Sequence, residues 1–299
     1  MNDKRETDAW KAFWQRQQQG SSPAVVSAEW STITSAQFSA WTKFAEFLPE
    51  SSRLLDVASG NGKLIEMLQS MRGDISATGI DIATQLPPRA PGVEVIGGIE
   101  MENLPFDDNS YHAAASQFGF EYGETSKVAN EILRVITDGG PIGLMVHRGD
   151  GAILAHNLRR KEQIEWVRDE NSLFEHLFDT LPDDHTNVSE QVTFIEKLVQ
   201  EGARLFGPGS AAWEIPEAVR RTLLLGKSGS REKLISTLHL IDSQTQNELA
   251  RIASLAGACA RADDREALLE GFIAAGREIR EQTEVTTPDG KVIADLIIL

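Results

Sequence analysis

Apolar and polar positions along this 299-residue chain change their period three times. From about residue 7 to 49, large side chains recur at helical spacing: Phe38, Trp41, Phe44, Phe47 and Leu48, preceded by Trp10, Phe13 and Trp14. That stretch predicts a helical arm whose aromatics pack on the main body or cover a ligand. From about 50 to 148, short apolar runs alternate with helical segments. Strands are expected at 53–57, 75–81, 93–96, 111–118 and 141–147, and helices at 63–71 and 126–136. Strand, helix, strand repetition predicts a parallel sheet with right-handed crossovers. From 149 to 282 the pattern is almost wholly helical, with stripes at Val192, Ile195, Leu198 and Leu205, at Leu249, Ile252 and Leu255, and at Leu268, Leu269, Phe272 and Ile279. Pro288-Asp289-Gly290 and the apolar run Val292 to Leu299 then predict a hairpin returning to the sheet.

The organisation expected is therefore an arm over 1–49, an α/β domain over 50–148 plus 283–299, and a helical insertion over 149–282 after strand five. No internal repeat or low-complexity tract interrupts it.

Charge narrows the partners. The formal net charge is −16, and no stripe of Lys and Arg is present to replace counterions on phosphates. Nucleic acid and anionic membrane surfaces are poor partners for such a chain. One cysteine, Cys259, sits in an Ala/Leu-rich helical stretch, so no internal disulfide can form. A buried, inert thiol and a reducing, cytoplasmic setting are expected. The opening residues lead into no signal-peptide run, no apolar stretch approaches membrane-spanning length, and the histidines show no metal-ligand spacing.

The densest chemistry lies in Asp56-Val57-Ala58-Ser59-Gly60-Asn61-Gly62. A strand ends in a carboxylate, small residues turn the chain, and a helix begins. Such a turn lets a ligand approach the backbone, and the helix start offers free N–H groups. The dinucleotide fingerprint G-x-G-x-x-G is not met, because Ala58 and Lys63 stand where its first and third glycines belong. The segment instead resembles the first motif of class I S-adenosylmethionine-dependent methyltransferases, with Ala58 in place of the first glycine. The substitution is expected to be mild unless position 58 needs a positive φ.

Four further segments carry the same resemblance. Asp81 ends the second strand, where the family's carboxylate takes the ribose hydroxyls, and Ile82 follows it. Glu100-Met101-Glu102-Asn103-Leu104-Pro105-Phe106 resembles the adenine-contacting stretch of the branch that includes quinone-ring C-methylases. Glu100 falls on the acidic position, with a longer reach than the usual Asp, and Met101 on the residue whose backbone meets the ring. Ser116-Gln117-Phe118-Gly119-Phe120 resembles the end of strand four, where the transferable methyl is presented, and Thr137-Asp138-Gly139-Gly140 the turn before strand five. The resemblance covers residues 50–148 and the terminal hairpin. It implies a Rossmann-like seven-stranded sheet with the last strand antiparallel, and S-adenosylmethionine held by Asp56, Ala58, Ser59, Gly60, Gly62, Asp81, Ile82, Glu100, Met101 and Gln117.

Methyl transfer from a sulfonium is an in-line displacement that needs alignment and exclusion of water, with a base only when the acceptor loses a proton. Acceptor groups are expected past strands four and five: Glu121, Tyr122, His147 and Arg148, with His156 at the start of the insertion. His147 is the candidate base, with Tyr122 beside it; the alternative is a histidine that caps the strand through a neighbouring backbone group. Glu121 and Tyr122 either orient the acceptor or pack the loop. The reading is a methyltransferase with a small-molecule acceptor enclosed by the insertion, which can equally serve a homodimer. The alternatives are a protein side-chain methyltransferase and a non-catalytic binder of the cofactor.

Overall fold

The computed structural model describes Trp10 and residues 28–87 and 90–299. The expected aromatics Phe13 and Trp14 lie outside the described residues. Contacts divide the chain into two units, residues 1–154 with 253–299 and residues 155–252.

The first unit is a three-layer α/β structure. Strands β1 (Arg53–Val57), β2 (Ser76–Asp81), β3 (Glu94–Gly97), β4 (Ala113–Gln117), β5 (Ile142–Val146), β6 (Glu281–Thr286) and β7 (Val292–Ile298) form one sheet in the order β3-β2-β1-β4-β5-β7-β6. The first five run parallel; β7 is antiparallel to both β5 and β6. The order reverses between β1 and β4, and at such a switch point the carboxyl ends of the strands open a crevice.

Alternation along the strands separates two cores. Leu55, Val57, Ala114, Leu144 and Ile297 face one way, onto helix α3 (Thr125–Val135) and helix α9 (Arg265–Ala274). Leu54, Ala113, Ala115, Met145 and Ile298 face the other, onto α1 (Ala28–Phe47) and α2 (Lys63–Met71). Trp41 and Phe44 of α1 are wholly buried, meeting edge to face at 5.4 Å. Each contributes about 1.5–3 kcal/mol by leaving water. Trp41 and Phe44 are thus core residues, Phe47 is half-buried against them, and Phe38 is exposed.

The second unit is all helical. Its core joins Ile164, Leu173, Leu177, Ile195, Leu198, Val219, Leu223 and Leu238, drawn from α4 (Ala152–Glu165) and the π-turn that extends it, α5 (Leu173–Thr180), α6 (Ser189–Phe206), α7 (Ala211–Gly226) and α8 (Arg231–Asp263). Glu217 receives both Arg220 and Arg221 at 2.7 Å, and the paired guanidinium groups hold its carboxyl down at about 2.

The helical unit is narrower than the expected insertion of 149–282. The end of α8 and all of α9 belong with the sheet, because Ala262, Leu268, Leu269 and Phe272 complete the core under α3. Helical periodicity is blind to this distinction: an apolar stripe has the same spacing whichever core it joins. Leu154, Leu255 and Cys259 share one apolar cluster, so the chain leaves and re-enters the first unit at neighbouring points. A chain in which a short Gly/Ser linker replaces residues 155–252 is therefore expected to unfold cooperatively in urea with its parallel sheet intact by circular dichroism. Loss of a cooperative transition would show that the sheet-bearing unit cannot stand alone.

Candidate active site

The turn after β1 and the end of β2 meet at the carboxyl edge of the sheet. Gly60 N–H donates to Asp81 Oδ2 at 2.9 Å, and Ala83 N–H donates to Oδ1 at 2.9 Å. Ser59 N–H donates to Ile80 O at 2.8 Å, locking the turn to β2, and the Ser59 hydroxyl donates to Asp56 Oδ2 at 2.5 Å. Gly60 and Gly62 take positive φ of 55° and 76°, which opens the turn before α2.

Ala58 also lies in the left-handed region, at φ 58°. The exception allowed from the sequence therefore applies, and a Cβ there costs about 1–2 kcal/mol. Space for that methyl comes from across the sheet switch. A Cβ on Gly119 would sit 2.4 Å from the Ala58 Cβ, so the bare backbone at 119 makes the alanine at 58 admissible.

Asp56 and Asp81 are both buried. Among the described residues, no lysine or arginine bonds to either carboxylate. Burial, reinforced by the neighbouring charge of Asp81 and opposed by the Ser59 hydroxyl, pushes the Asp56 carboxyl up to about 7. Burial likewise raises Asp81, against the two backbone donors. Two desolvated carboxylates beside an open turn form a donor set suited to a cationic ligand.

The loop that follows β3 is clamped from behind. Arg134 donates to the carbonyls of Leu104 and Phe106 at 2.9 and 2.7 Å, and Glu131 accepts from Leu104 N–H at 2.7 Å. This fixes Glu100, which is exposed, and Met101, whose side chain packs toward Gly123. Ile82 is half-buried just beyond Asp81. Ile99 N–H donates to Asp81 O at 3.0 Å, tying this loop to the end of β2.

At the end of β4, Gln117 accepts from Trp41 Nε1 at 2.6 Å, a bond that reaches from α1 to the crevice. Phe118 adopts a left-handed φ of 57°, uncommon for a bulky residue and the kind of strain that collects at functional sites. The Ser116 hydroxyl donates to Val57 O and accepts from Phe120 N–H, holding the bend in place.

Past β4 and β5, Glu121 and His147 meet. Glu121 is fully buried, and its Oε1 accepts from the His147 backbone N–H at 3.0 Å and lies 2.7 Å from His147 Nδ1. The histidine thus bonds to a carboxylate rather than to a backbone group of its own strand. Phe118 stacks on the imidazole at 4.3 Å between ring centres, Tyr122 meets it edge-on at 6.0 Å, and Trp10 meets Tyr122 at 5.6 Å. Arg261 Nε donates to Glu121 O at 2.7 Å. Cys259 is a buried free thiol, pushed up to about 12 by burial and by the charges of Glu121 and Asp263.

Two sequence candidates stand apart. Arg148 points into an ion cluster with Asp150, Glu284 and the buried Asp295, which also pairs with Arg265. His156 is exposed on α4 within the helical unit. Conversely, Trp41, Glu131, Arg134 and Arg261 shape the site without a local signal, since their partners lie far along the chain.

Residues 55–144 match the family model described as a methyltransferase domain. The sheet order, with the matched segment inside it, is similar to that of class I methyltransferase domains. Demethylmenaquinone methyltransferase of Chlamydia caviae is 33% identical over 111 residues, covering 34% of this chain and 47% of that protein. Its counterpart in Chlorobaculum tepidum is 31% identical over 93 residues, covering 29% and 38% respectively. The chain thus spans about half the length, or less, of these curated relatives. A solved methyltransferase from Methanosarcina mazei, described as S-adenosylmethionine-dependent, is 16% identical and covers 86% of this chain and 95% of its own, at a TM-score of 0.38. So loose a superposition adds nothing to the topology above. The cofactor of such domains is S-adenosylmethionine, a cation, and two desolvated carboxylates that bond to no lysine or arginine among the described residues fit a ligand of that charge.

Two outcomes follow for the turn. Gly119→Ala should destabilise the fold by about 1–3 kcal/mol through overpacking, while Ala58→Gly should stabilise it or leave it unchanged. In a denaturant double-mutant cycle the second change should recover most of the loss from the first; strict additivity would mean that the two positions do not compete for space. For Asp56, the folded-state pKa lies above the ordinary value of 3.8. Its contribution to stability is complete below that value and is lost as pH rises towards about 7. Wild type should therefore lose stability across that window relative to Asp56→Asn, and parallel stability curves would remove the assignment.

Proposed function

We propose that this chain transfers a methyl group from S-adenosylmethionine to a small-molecule acceptor. The observation that carries the reading is the bond from Gly60 to Asp81, which joins the glycine turn and the second-strand carboxylate into one cradle at the switch point. The cofactor, when bound, supplies an activated methyl carbon on a positively charged sulfur. Within this reading, Asp81 takes the ribose hydroxyls with the lone pairs its two backbone donors leave free. Ile82 and Met101 flank the adenine, with Glu100 as acceptor at its edge. Asp56, Ser59, Gly60 and Gly62, with Ala58 shaping the turn, face the rest of the ligand, and Gln117 borders the methyl.

A small acceptor is supported by the acidity of the chain, which disfavours nucleic acid. It is supported also by the names of the curated relatives, whose stated substrate is demethylmenaquinone. No described helix is long and apolar enough to cross a membrane. A cytoplasmic setting forms part of the same reading and is supported by the single, buried free thiol.

Calorimetry tests the cofactor. Asp81→Ala should weaken S-adenosylmethionine binding at least tenfold, in line with loss of charge-assisted hydrogen bonds. Binding to wild type near neutral pH should release protons as the cation draws Asp56 into its ionised form, so the apparent enthalpy should vary with buffer. Incubation with methyl-labelled cofactor and a metabolite extract tests turnover. Label appearing in protein alone would favour a side-chain methyltransferase, and tight binding without transfer would favour a regulatory binder.

A further inference from the structure

We propose that Glu121 and His147 form a proton-removing pair, with His147 Nε2 as the base and Glu121 as the residue that positions it; the acceptor is consequently a hydroxyl or carbon acid. This rests on the methyl-transfer reading above and names the class of substrate for the same site.

Four observations converge on the imidazole. First, Glu121 Oε1 engages both the backbone N–H and the Nδ1 of His147, at 3.0 and 2.7 Å. Oε1 is already an acceptor for the backbone N–H, and the same role toward Nδ1 puts the ring proton there and leaves the lone pair on Nε2. Second, among the described residues Nε2 has no hydrogen-bond partner, and it is not among the buried unsatisfied atoms. Third, Glu121 is fully buried with its Oε2 unpartnered, an arrangement costly to the fold and normally offset by a specific role. Fourth, the strained Phe118 lays its ring on one face of the imidazole, while Tyr122 meets it edge-on. The ring is held against rotation, as a base must be.

The charged and titratable groups around the pair are Arg261, Cys259 and Asp263 from α8, with Tyr122 and Arg148 adjacent in sequence. Arg261 bonds to the backbone of Glu121 rather than to its carboxylate. Arg148 is spent on Asp150, Glu284 and Asp295. No cation among the described residues competes with His147 for the Glu121 carboxylate.

The step balances without another reagent. The acceptor's oxygen or carbon forms the new bond to the methyl carbon, and the carbon–sulfur bond breaks with its electron pair going to sulfur. The acceptor's proton passes to His147 Nε2, and the resulting imidazolium is held by the Glu121 carboxylate until solvent takes the proton. Acceptors that lose no proton, such as thioethers and tertiary amines, gain nothing from this pair.

The test has two readouts on the full-length chain. In the complex with the demethylated cofactor product, ¹⁵N NMR of the His147 ring, assigned with His147→Gln, should show a neutral ring at slightly alkaline pH with its proton on Nδ1. A proton on Nε2, or on both nitrogens, would overturn the proposal. The second readout uses ¹³C-methyl S-adenosylmethionine with a metabolite extract. The product should carry its label on oxygen or carbon, and the wild-type rate should fall at low pH. His147→Gln and Glu121→Gln should each lower the rate by about 100-fold with the cofactor Kd unchanged. The acid limb should disappear in His147→Gln. A sulfonium or quaternary ammonium product, or variants as fast as wild type, would overturn the pair while leaving methyl transfer intact. No transfer despite tight cofactor binding would overturn both.

Discussion

A buried carboxylate that accepts from two backbone N–H groups fixes everything at the crevice. Asp81 can remain desolvated only because Gly60 and Ala83 supply those donors. The same bonds decide the path of the turn after β1, and hence where α2 begins and which way its amide groups face. Among the described residues Asp56, one strand away, bonds only to the Ser59 hydroxyl, so it carries the larger electrostatic burden. Without a bound cation, the pair is a compromise between burial and charge.

The backbone around this compromise is tight. Ala58 and Phe118 both adopt left-handed conformations, on the two strands that flank the switch point. Each would be expensive alone. They coexist because Gly119 removes a side chain where the Ala58 methyl must lie, and because the Ser116 hydroxyl ties the end of β1 to the bend after β4. Strain at the two strand ends is therefore one problem solved jointly. The local Ala58 departure from the family's motif is intelligible only with the far residue in view.

That dependence explains what could be read from the chain and what could not. Strands and helices near the turn were legible because their periods, 2 and 3.6, are short-range properties. The glycine turn, Asp81 and the clamped loop after β3 were legible because each resembles a known segment in the right order. The positive φ at Ala58 was not, since alanine carries no turn signal. The Trp41–Gln117 bond and the Arg134 clamp join positions 76 and about 30 residues apart, beyond any local pattern. His147 and Glu121 were each visible as residues past strand ends, but their pairing depends on β4 and β5 lying side by side. The boundary of the helical unit was illegible for a different reason: α8 is one continuous helix that serves two cores.

Parallel neighbours also explain how the proposed cofactor and proton chemistry can share an edge. In a parallel sheet all carboxyl ends lie on the same side, so residues following β1, β2, β4 and β5 converge whatever their separation in sequence. β4 is central to this: its backbone borders β1, which leads into the glycine turn, and β5, which leads into His147. Gln117, Phe118 and Glu121 follow one another along its end, and in the proposed reaction they face first the methyl's side and then the base. In the proposed reaction a short stretch of chain thus sets the distance between donor and proton acceptor, and it is anchored by the Trp41 bond at one end and Arg261 at the other. In-line displacement tolerates little misalignment. A strained, doubly anchored segment is what that requirement selects for, and a relaxed loop at the same place would leave the two halves of the reaction independently mobile.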